Sequence, residues 1–323
     1  MMGDVRIGTS GWSYPTAPGA WTGIFYPASG KTRSGHKVDE LAYYAEHFDT
    51  VEVNSSFYRP PDPSVTSKWA ARTPTTFDFS LKLYQKFTHP AMYQKTAGLK
   101  KPAPSDASMI PTVGGVDVEG FRRAIDPLAQ AGKLGALLAQ FPPSFTWTEQ
   151  SRDYLHWLLE AFPGYPMAVE LRHRSWSDRT DDTLGLLGAH SAAWVQIDEP
   201  KFRFSIRQDF APNDRGLYYL RLHGRNADAW WKHDAPAERY NYLYSGRELA
   251  DFVSTVDAVR HMVKKFYLYL NNHFAAKAVA NAATLRHELG QDVPGEYSQE
   301  MLETYPDLRT FVRPEAPTLL DGM

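Results

Sequence analysis

The feature that most restricts the fold of this chain is a rhythm. A short apolar run is followed by an amphipathic stretch, again and again. The runs occupy residues 5–9, 50–54, 77–82, 135–140, 167–172, 193–198, 217–223 and 266–271. Helix-like stretches lie at 39–47, 63–71, 118–131, 148–161, 181–190, 246–263 and 275–287; in the last, Ala278, Ala282 and Leu285 share one helical face. Only the connection after the sixth run lacks a helical pattern. There Phe202, Phe204 and Ile206 alternate with charged or polar residues, which predicts an extra strand over 201–207. Eight strands with helices between them is the count of a (β/α)8 TIM-type barrel of the α/β class. An open doubly wound sheet is the rival, but no glycine-rich dinucleotide turn follows the first run. A length of 323 residues suits one such barrel. The expected division is a barrel domain over 1–290 and a C-terminal extension over 291–323.

Alternation along the runs says which side chains face which way, because residues two apart on a strand share a face. Val51 and Val53 oppose Glu52 and Asn54; Phe79 and Leu81 oppose Ser80 and Lys82; Val169 and Leu171 oppose Glu170 and Arg172. Val195 and Ile197 oppose Gln196 and Asp198; Leu220 and Leu222 oppose Tyr219, Arg221 and His223; Leu268 and Leu270 oppose Tyr267, Tyr269 and Asn271. Gln140 ends the fourth run opposite Ala139. The aliphatic faces fit packing against outer helices. The other faces are then expected to point into the barrel and turn polar at the C-terminal strand ends, where barrel active sites lie. Stability alone favours Leu or Val at such positions, since an unpaired buried polar group costs about 1–3 kcal/mol. The charges form a balanced set: Glu52, Glu170 and Asp198 against Lys82, Arg172 and Arg221, with His223 able to tip the sum. A self-neutralising network that merely closes the barrel mouth is one reading. A pocket for a small polar ligand, with groups available for proton transfer, is the other, and the number and position of the polar ends favour it.

Three connections after strand C-termini are long and aromatic. The first holds Trp12, Tyr14, Trp21, Phe25 and Tyr26; the third, over 84–117, holds Phe87, His89 and Tyr93 with Lys86, Lys95, Lys100 and Lys101; the seventh holds Arg225, Trp230, Trp231, Tyr240, Tyr242 and Tyr244. Connections of this length are usually functional when ordered. Single aromatics here are expected to cap the barrel end, and the lysines to be solvated. Gly224-Arg225 and Asn272-His273 occupy the regions where many barrels bind phosphate, which hints at an anionic group on the ligand.

Several blocks together resemble one family. They are Gly8-Thr9-Ser10-Gly11-Trp12, Trp21 with Gly23-Ile24-Phe25-Tyr26-Pro27, Glu52-Val53-Asn54-Ser55-Ser56-Phe57-Tyr58, Thr88-His89, and Gln140-Phe141-Pro142-Pro143-Ser144-Phe145. Glu170-Leu171-Arg172-His173, Arg221-Leu222-His223-Gly224-Arg225 and Asn271-Asn272-His273 complete the set, which spans residues 7–285. The combination is similar to the YecE-like family, the domain of unknown function numbered 72. The resemblance implies a TIM-type barrel and no particular reaction. Asp198-Glu199-Pro200 is similar to the family's acidic turn, and the stretch 98–115 is longer than the family pattern.

Composition narrows the chemistry. With no cysteine, thiolate nucleophiles, disulfides and zinc ribbons drop out. A formal net charge of −2 argues against bulk contact with a phosphate backbone. There is no secretory leader and no run of 18 apolar residues, so a cytoplasmic protein outside the membrane is expected. Walker and Gly-x-Ser-x-Gly motifs are missing from the sequence, and no nucleotide-cofactor motif stands out. The leading expectation is an enzyme acting on a small polar substrate, phosphorylated or sugar-like. Glu170 and Asp198 are its acid/base candidates with Glu52 beside them, Lys82 its electrophile or charge stabiliser, and His223 its proton shuttle. Arg172, Arg221 and Arg225 suit an anion clamp, and Trp12, Asn54, Gln140, Asn271, Asn272 and His273 orient the ligand. An amine nucleophile at Lys82 ranks lower, because neighbouring carboxylates favour its charged form. The alternative is a metal-dependent phosphodiesterase or endonuclease acting on nucleic acid, with Glu52, Glu170, Asp198, His223 and His273 around a divalent ion. Three inward cations count against it. A non-catalytic binding protein is the third reading.

Overall fold

The computed structural model describes residues 3–32, 35–98, 113–231 and 234–316. Its parallel sheet contains β1 (Asp4–Ser10), β2 (Thr50–Val53), β3 (Asp78–Lys82), β4 (Leu134–Gln140), β5 (Met167–Glu170), β6 (Ala193–Trp194), β7 (Gln196–Asp198), β8 (Leu217–Leu222) and β9 (Lys265–Leu270). The hydrogen-bonded order is β6-β5-β4-β3-β2-β1-β9-β8-β7. The two ends of that order are separated in sequence by Val195 alone, so the sheet curls round into a TIM-type barrel. Nine strands are present where eight runs were expected because the sixth run is split. β6 pairs with β5, and β7 crosses to β8.

The helices form where the periodicity places them, and local chemistry sets their starts. Asp39 accepts from the Ala42 N–H ahead of Glu40–His47, Asp62 caps Pro63–Ala71, and Thr148 caps Glu149–Glu160. Ser245 and Glu248 form a reciprocal capping box on Gly246–Val259. Their apolar stripes, such as Phe121, Ile125 and Leu128 or Leu249, Phe252 and Val256, are buried with Val51, Val53, Phe79 and Leu81 of the strands. Each such side chain contributes about 1.5–3 kcal/mol by leaving water. The stretch 99–112, which includes Lys100 and Lys101, lies outside the described residues.

The barrel interior is a polar stack where most barrels use layers of branched aliphatic residues. Near its N-terminal end, Asp78 receives Tyr267 OH at 2.6 Å and Lys265 Nζ at 3.0 Å, with Arg6 at 3.1 Å. One layer up, Tyr269 OH meets Thr50 Oγ1 at 2.6 Å and Ser80 Oγ at 2.9 Å. Above that lie the charged strand ends.

Two expectations fail at the sixth strand. Residues 201–207 form no strand; one isolated bridge joins His173 to Ser205, with Ile206 N–H on the Arg172 carbonyl. The faces of the sixth run are also reversed. Gln196 lines a cavity beside Ser177, Thr180 and Leu184 on the helix side, and Asp198 is held by Arg225 and Tyr244 away from the inward charges. The cause is the missing helix. A polar loop covers the outer face here: Gln208 takes the Ile197 N–H at 3.1 Å and donates to the Val195 carbonyl at 2.7 Å, while Asn213 takes the Trp194 N–H at 2.7 Å. A polar outward side chain is therefore tolerated, and alternation alone misreads it.

After the last barrel helix, Lys277–Glu288, the chain folds back. Glu296–Tyr297 pairs with Arg313–Pro314, and Ser298 Oγ donates to the Ile24 carbonyl at 2.6 Å. Among the described residues no helix is long and apolar enough to cross a membrane.

Candidate functional site

At the C-terminal strand ends, Arg221 on β8 organises the inward charges. Its Nε lies 2.9 Å from Glu52 Oε2 and its Nη2 2.6 Å from Glu52 Oε1. Its Nη1 reaches Gln140 Oε1 at 3.0 Å and also pairs with Glu170 Oε2. Tyr219 OH adds a 2.7 Å bond to Glu52, and Arg172 Nε donates to Glu170 Oε1 at 2.6 Å. Glu52 and Glu170 are fully buried and Arg221 nearly so. The arginines overcome the burial penalty on Glu170 and hold its carboxyl well below the usual carboxylate range. Burial works against the Arg221 charge, but the two carboxylates raise it further above its ordinary value.

His223 closes this group. Its Nε2 lies 3.2 Å from Arg172 Nη2 and 3.3 Å from Arg221 Nη1, and its Nδ1 lies 3.0 Å from the Asn271 amide. Guanidinium groups are obligate donors, so Nε2 must accept. Asn271 faces Nδ1 with its amide nitrogen, so a ring proton on Nδ1 requires the Asn271 amide to be turned the other way round. Burial, reinforced by Arg221, pushes His223 down to about 3, so the ring is neutral.

Lys82, at the end of β3, stands apart. Its ammonium nitrogen lies 4.0 Å from the centre of the Phe57 ring and has no hydrogen bond or ion pair with any described residue. Burial first, then the Arg221 charge, pushes it down to about 7. Glu170 and Glu52 still favour the charged amine, as the sequence suggested, but burial and the Arg221 charge outweigh them. His89 stands by; burial and then Lys82 push it down to about 3, and its Nδ1 meets Thr88 Oγ1 at 2.8 Å.

The remaining expected residues divide. Asn54 lies at the rim, with its amide on the Ser10 carbonyl at 3.2 Å. His273 stacks on Tyr14 at 4.1 Å and lies 4.9 Å from Tyr240; burial pushes it down to about 4. Trp12 packs edge-on against Trp69 at 5.4 Å, a capping role. Asn272 donates to the Tyr242 carbonyl and to Asn281, away from the charges. Asp198 is not part of the inward group. Its carboxylate is held by Arg225 at 2.9 Å and Tyr244 OH at 2.7 Å, and Arg225 also reaches Glu248 at 3.0 Å. Gly224, at φ +87°, makes the turn that sends Arg225 there; a Cβ at Gly224 would meet Tyr242 Cβ at 2.8 Å.

The reversed strand puts Glu199 inside in place of Asp198. It lies 3.5 Å from Arg172 Nη1, its Oε2 is buried without a hydrogen-bond partner, and burial raises its carboxyl above the ordinary value. Sequence reasoning missed it because it follows the strand; the acidic turn was the signal. The set does not fit a divalent ion. Glu52, Glu170 and Asp198 are each engaged by arginine, and among the described residues no three His, Asp or Glu side chains are placed to share a metal.

The family model described as "Protein of unknown function DUF72" matches residues 6–304. The chain belongs to this family. Among DUF72 relatives, UPF0759 protein YunF of Bacillus subtilis is 28% identical over 298 residues, covering 90% of this chain and 96% of that protein. UPF0759 protein YecE of Escherichia coli K12 is 27% identical over 170 residues, about half of each chain (52% and 48%). A DUF72 structure from Thermotoga maritima is 31% identical with a TM-score of 0.71, covering 89% of this chain and 100% of that one. One from Enterococcus faecalis shares the fold at 24% identity and a TM-score of 0.71, covering 89% of this chain and 96% of that one.

Proposed function

We propose that the barrel mouth is the active site of an enzyme that moves a proton on a small, anionic, carbonyl-containing substrate. The observation that carries this reading is the contrast between Lys82 and its neighbours. Glu52 and Glu170 are locked by arginines, while the Lys82 amine is left with an aromatic ring and no acceptor. An amine titrating at about 7 is half neutral at physiological pH and suited to accept a proton. Arg172 takes the substrate's anionic group. Lys82 Nζ takes the proton from the carbon beside the carbonyl as that C–H bond breaks, and the protonated fraction of Glu199, whose carboxyl burial raises, gives its proton to the carbonyl oxygen. Reversal at a neighbouring carbon completes an isomerisation and returns both groups to their starting state.

The test is competitive labelling with acetic anhydride across pH 5–11, read residue by residue by mass spectrometry. Lys82 is expected to acylate with a midpoint near 7, well ahead of surface lysines. A Lys82 profile that rises with the bulk lysines, near their ordinary value of 10.5, overturns the reading.

A further inference from the structure

The broken sixth strand leaves a second hollow, on the outside of the barrel. It has a volume of about 410 Å³ and is walled by Trp194, Gln196, Leu184, Arg207, Ala211 and Pro212, among others. Two polar atoms in this wall are buried and have no partner: the Trp194 indole nitrogen and Gln196 Oε1. The Trp194 side chain belongs to a residue 6% exposed and Gln196 to one 3% exposed. An unpaired buried donor or acceptor costs about 1–3 kcal/mol, so such groups normally have a partner in the functional state. Here one is a donor only and the other an acceptor only, two residues apart on one face. The other polar groups of the wall are used: Gln208 and Asn213 by the strand backbone, Ser177 by Arg174 and Arg207.

We propose that this hollow is a binding site for a neutral polyhydroxylated molecule of monosaccharide size, distinct from the barrel mouth. A hydroxyl group both accepts and donates, so one hydroxyl, or two adjacent ones, satisfies Trp194 and Gln196 together. The charges around the hollow balance: Arg207 and Asp209 both line it, and Asp178, 3.9 Å from Arg207, is itself paired with Arg174 at 2.9 Å. An anionic ligand therefore finds no attracting field. The Leu184, Ala211 and Pro212 walls and the Trp194 ring suit the C–H faces of a sugar or polyol. The volume lies at the small end for ligand pockets, which excludes an oligosaccharide buried within it.

The test follows the Trp194 indole N–H by NMR on the full chain, assigned by its loss in Trp194→Phe. Glycerol, myo-inositol, D-ribose and D-glucose are titrated, with gluconate as the anionic counterpart. At least one neutral probe is expected to shift this resonance saturably, and Gln196→Leu to weaken that probe about tenfold, the equivalent of about 1.4 kcal/mol. Leu184→Trp, on the exposed rim of the hollow, is expected to abolish binding while leaving the rest of the spectrum unchanged. No saturable shift with any neutral probe, gluconate binding in preference to them, or binding unaffected by Leu184→Trp overturns the proposal. Lys82 labelling is untouched in all of these outcomes, so this site and the mouth are judged separately.

Discussion

Replacing Arg221 with Met keeps most of the side-chain volume and removes the charge on which two buried carboxylates depend. Glu52 loses both its guanidinium bonds and keeps Tyr219 OH; Glu170 keeps Arg172 Nε. Breaking a buried pair from one side typically costs about 3–5 kcal/mol, because the remaining charge is left desolvated. Against a total stability of about 5–15 kcal/mol this is a large share. At roughly 2 °C per kcal/mol for a chain of this size, the melting temperature falls by about 6–10 °C. The pH dependence gives a sharper check. In the native protein the Glu170 carboxyl is depressed, so it contributes stability above its unfolded value of 4.5 and loses it as pH falls. Without Arg221 that depression shrinks, since Arg221 is its largest charge partner. The gap between native and R221M stability, from urea melts at pH 7 and pH 4, is therefore expected to narrow in acid. Adding Glu52→Gln to R221M recovers part of the loss by removing one stranded charge. A loss below about 1 kcal/mol at pH 7, against the expected cost of a stranded buried charge, would refute the reasoning. So would a gap that widens on acidification.

Lys82→Met removes an unpaired amine whose folded value is depressed to about 7 from 10.5. Between those values the unfolded chain binds the extra proton, so native stability gains a contribution as pH rises through that window; the variant lacks it in melts at pH 7 and 9. His273→Phe keeps the stack between Tyr14 and Tyr240 but removes a ring titrating at about 4. Native stability falls with acid between pH 6.5 and 4 because the unfolded ring protonates first. The variant's slope in that window is expected to be shallower by about 1.4 kcal/mol per pH unit. Asp198→Asn is expected to lower stability through the loop held by Arg225 and Tyr244, yet leave the Lys82 labelling midpoint in place. Equal movement of that midpoint by Asp198→Asn and Arg172→Met would contradict the separation of the two clusters.

Much of this frame was legible because each strand reads in two registers at once. Val51 and Val53 bury outward while Glu52 turns in, and the same logic holds for Phe79 and Leu81 against Lys82. The polar inner layers of Tyr267 and Tyr269 follow from the alternation too. What alternation could not show is who pairs with whom. Arg221 meeting Glu52 and Glu170 depends on strands far apart in sequence, and the low Lys82 value follows first from its burial and then from the Arg221 charge beside it. The sixth strand misled for a local reason: both its faces are buried, one by the barrel and one by a polar loop, so a polar side chain marks neither as inner.

The arrangement also bears on why so costly an interior is kept. Arginine–carboxylate pairs taken out of water are weak evidence for stability, and hydrophobic replacements often do as well. Their effect here is positional. Glu52 is gripped on both oxygens and Glu170 is held between two guanidinium groups, so neither of these two carboxylates is free to pair with Lys82. Burial depresses the amine first and the nearby Arg221 charge adds to it, while Glu170 and Glu52 pull the other way. A mouth built of aliphatic residues would bury Lys82 as deeply but would leave nothing to hold Arg172 beside Glu199. The expensive frame and the unusual amine are therefore linked: freeing either carboxylate would shift Lys82 back toward its charged form, against the burial that lowers it first.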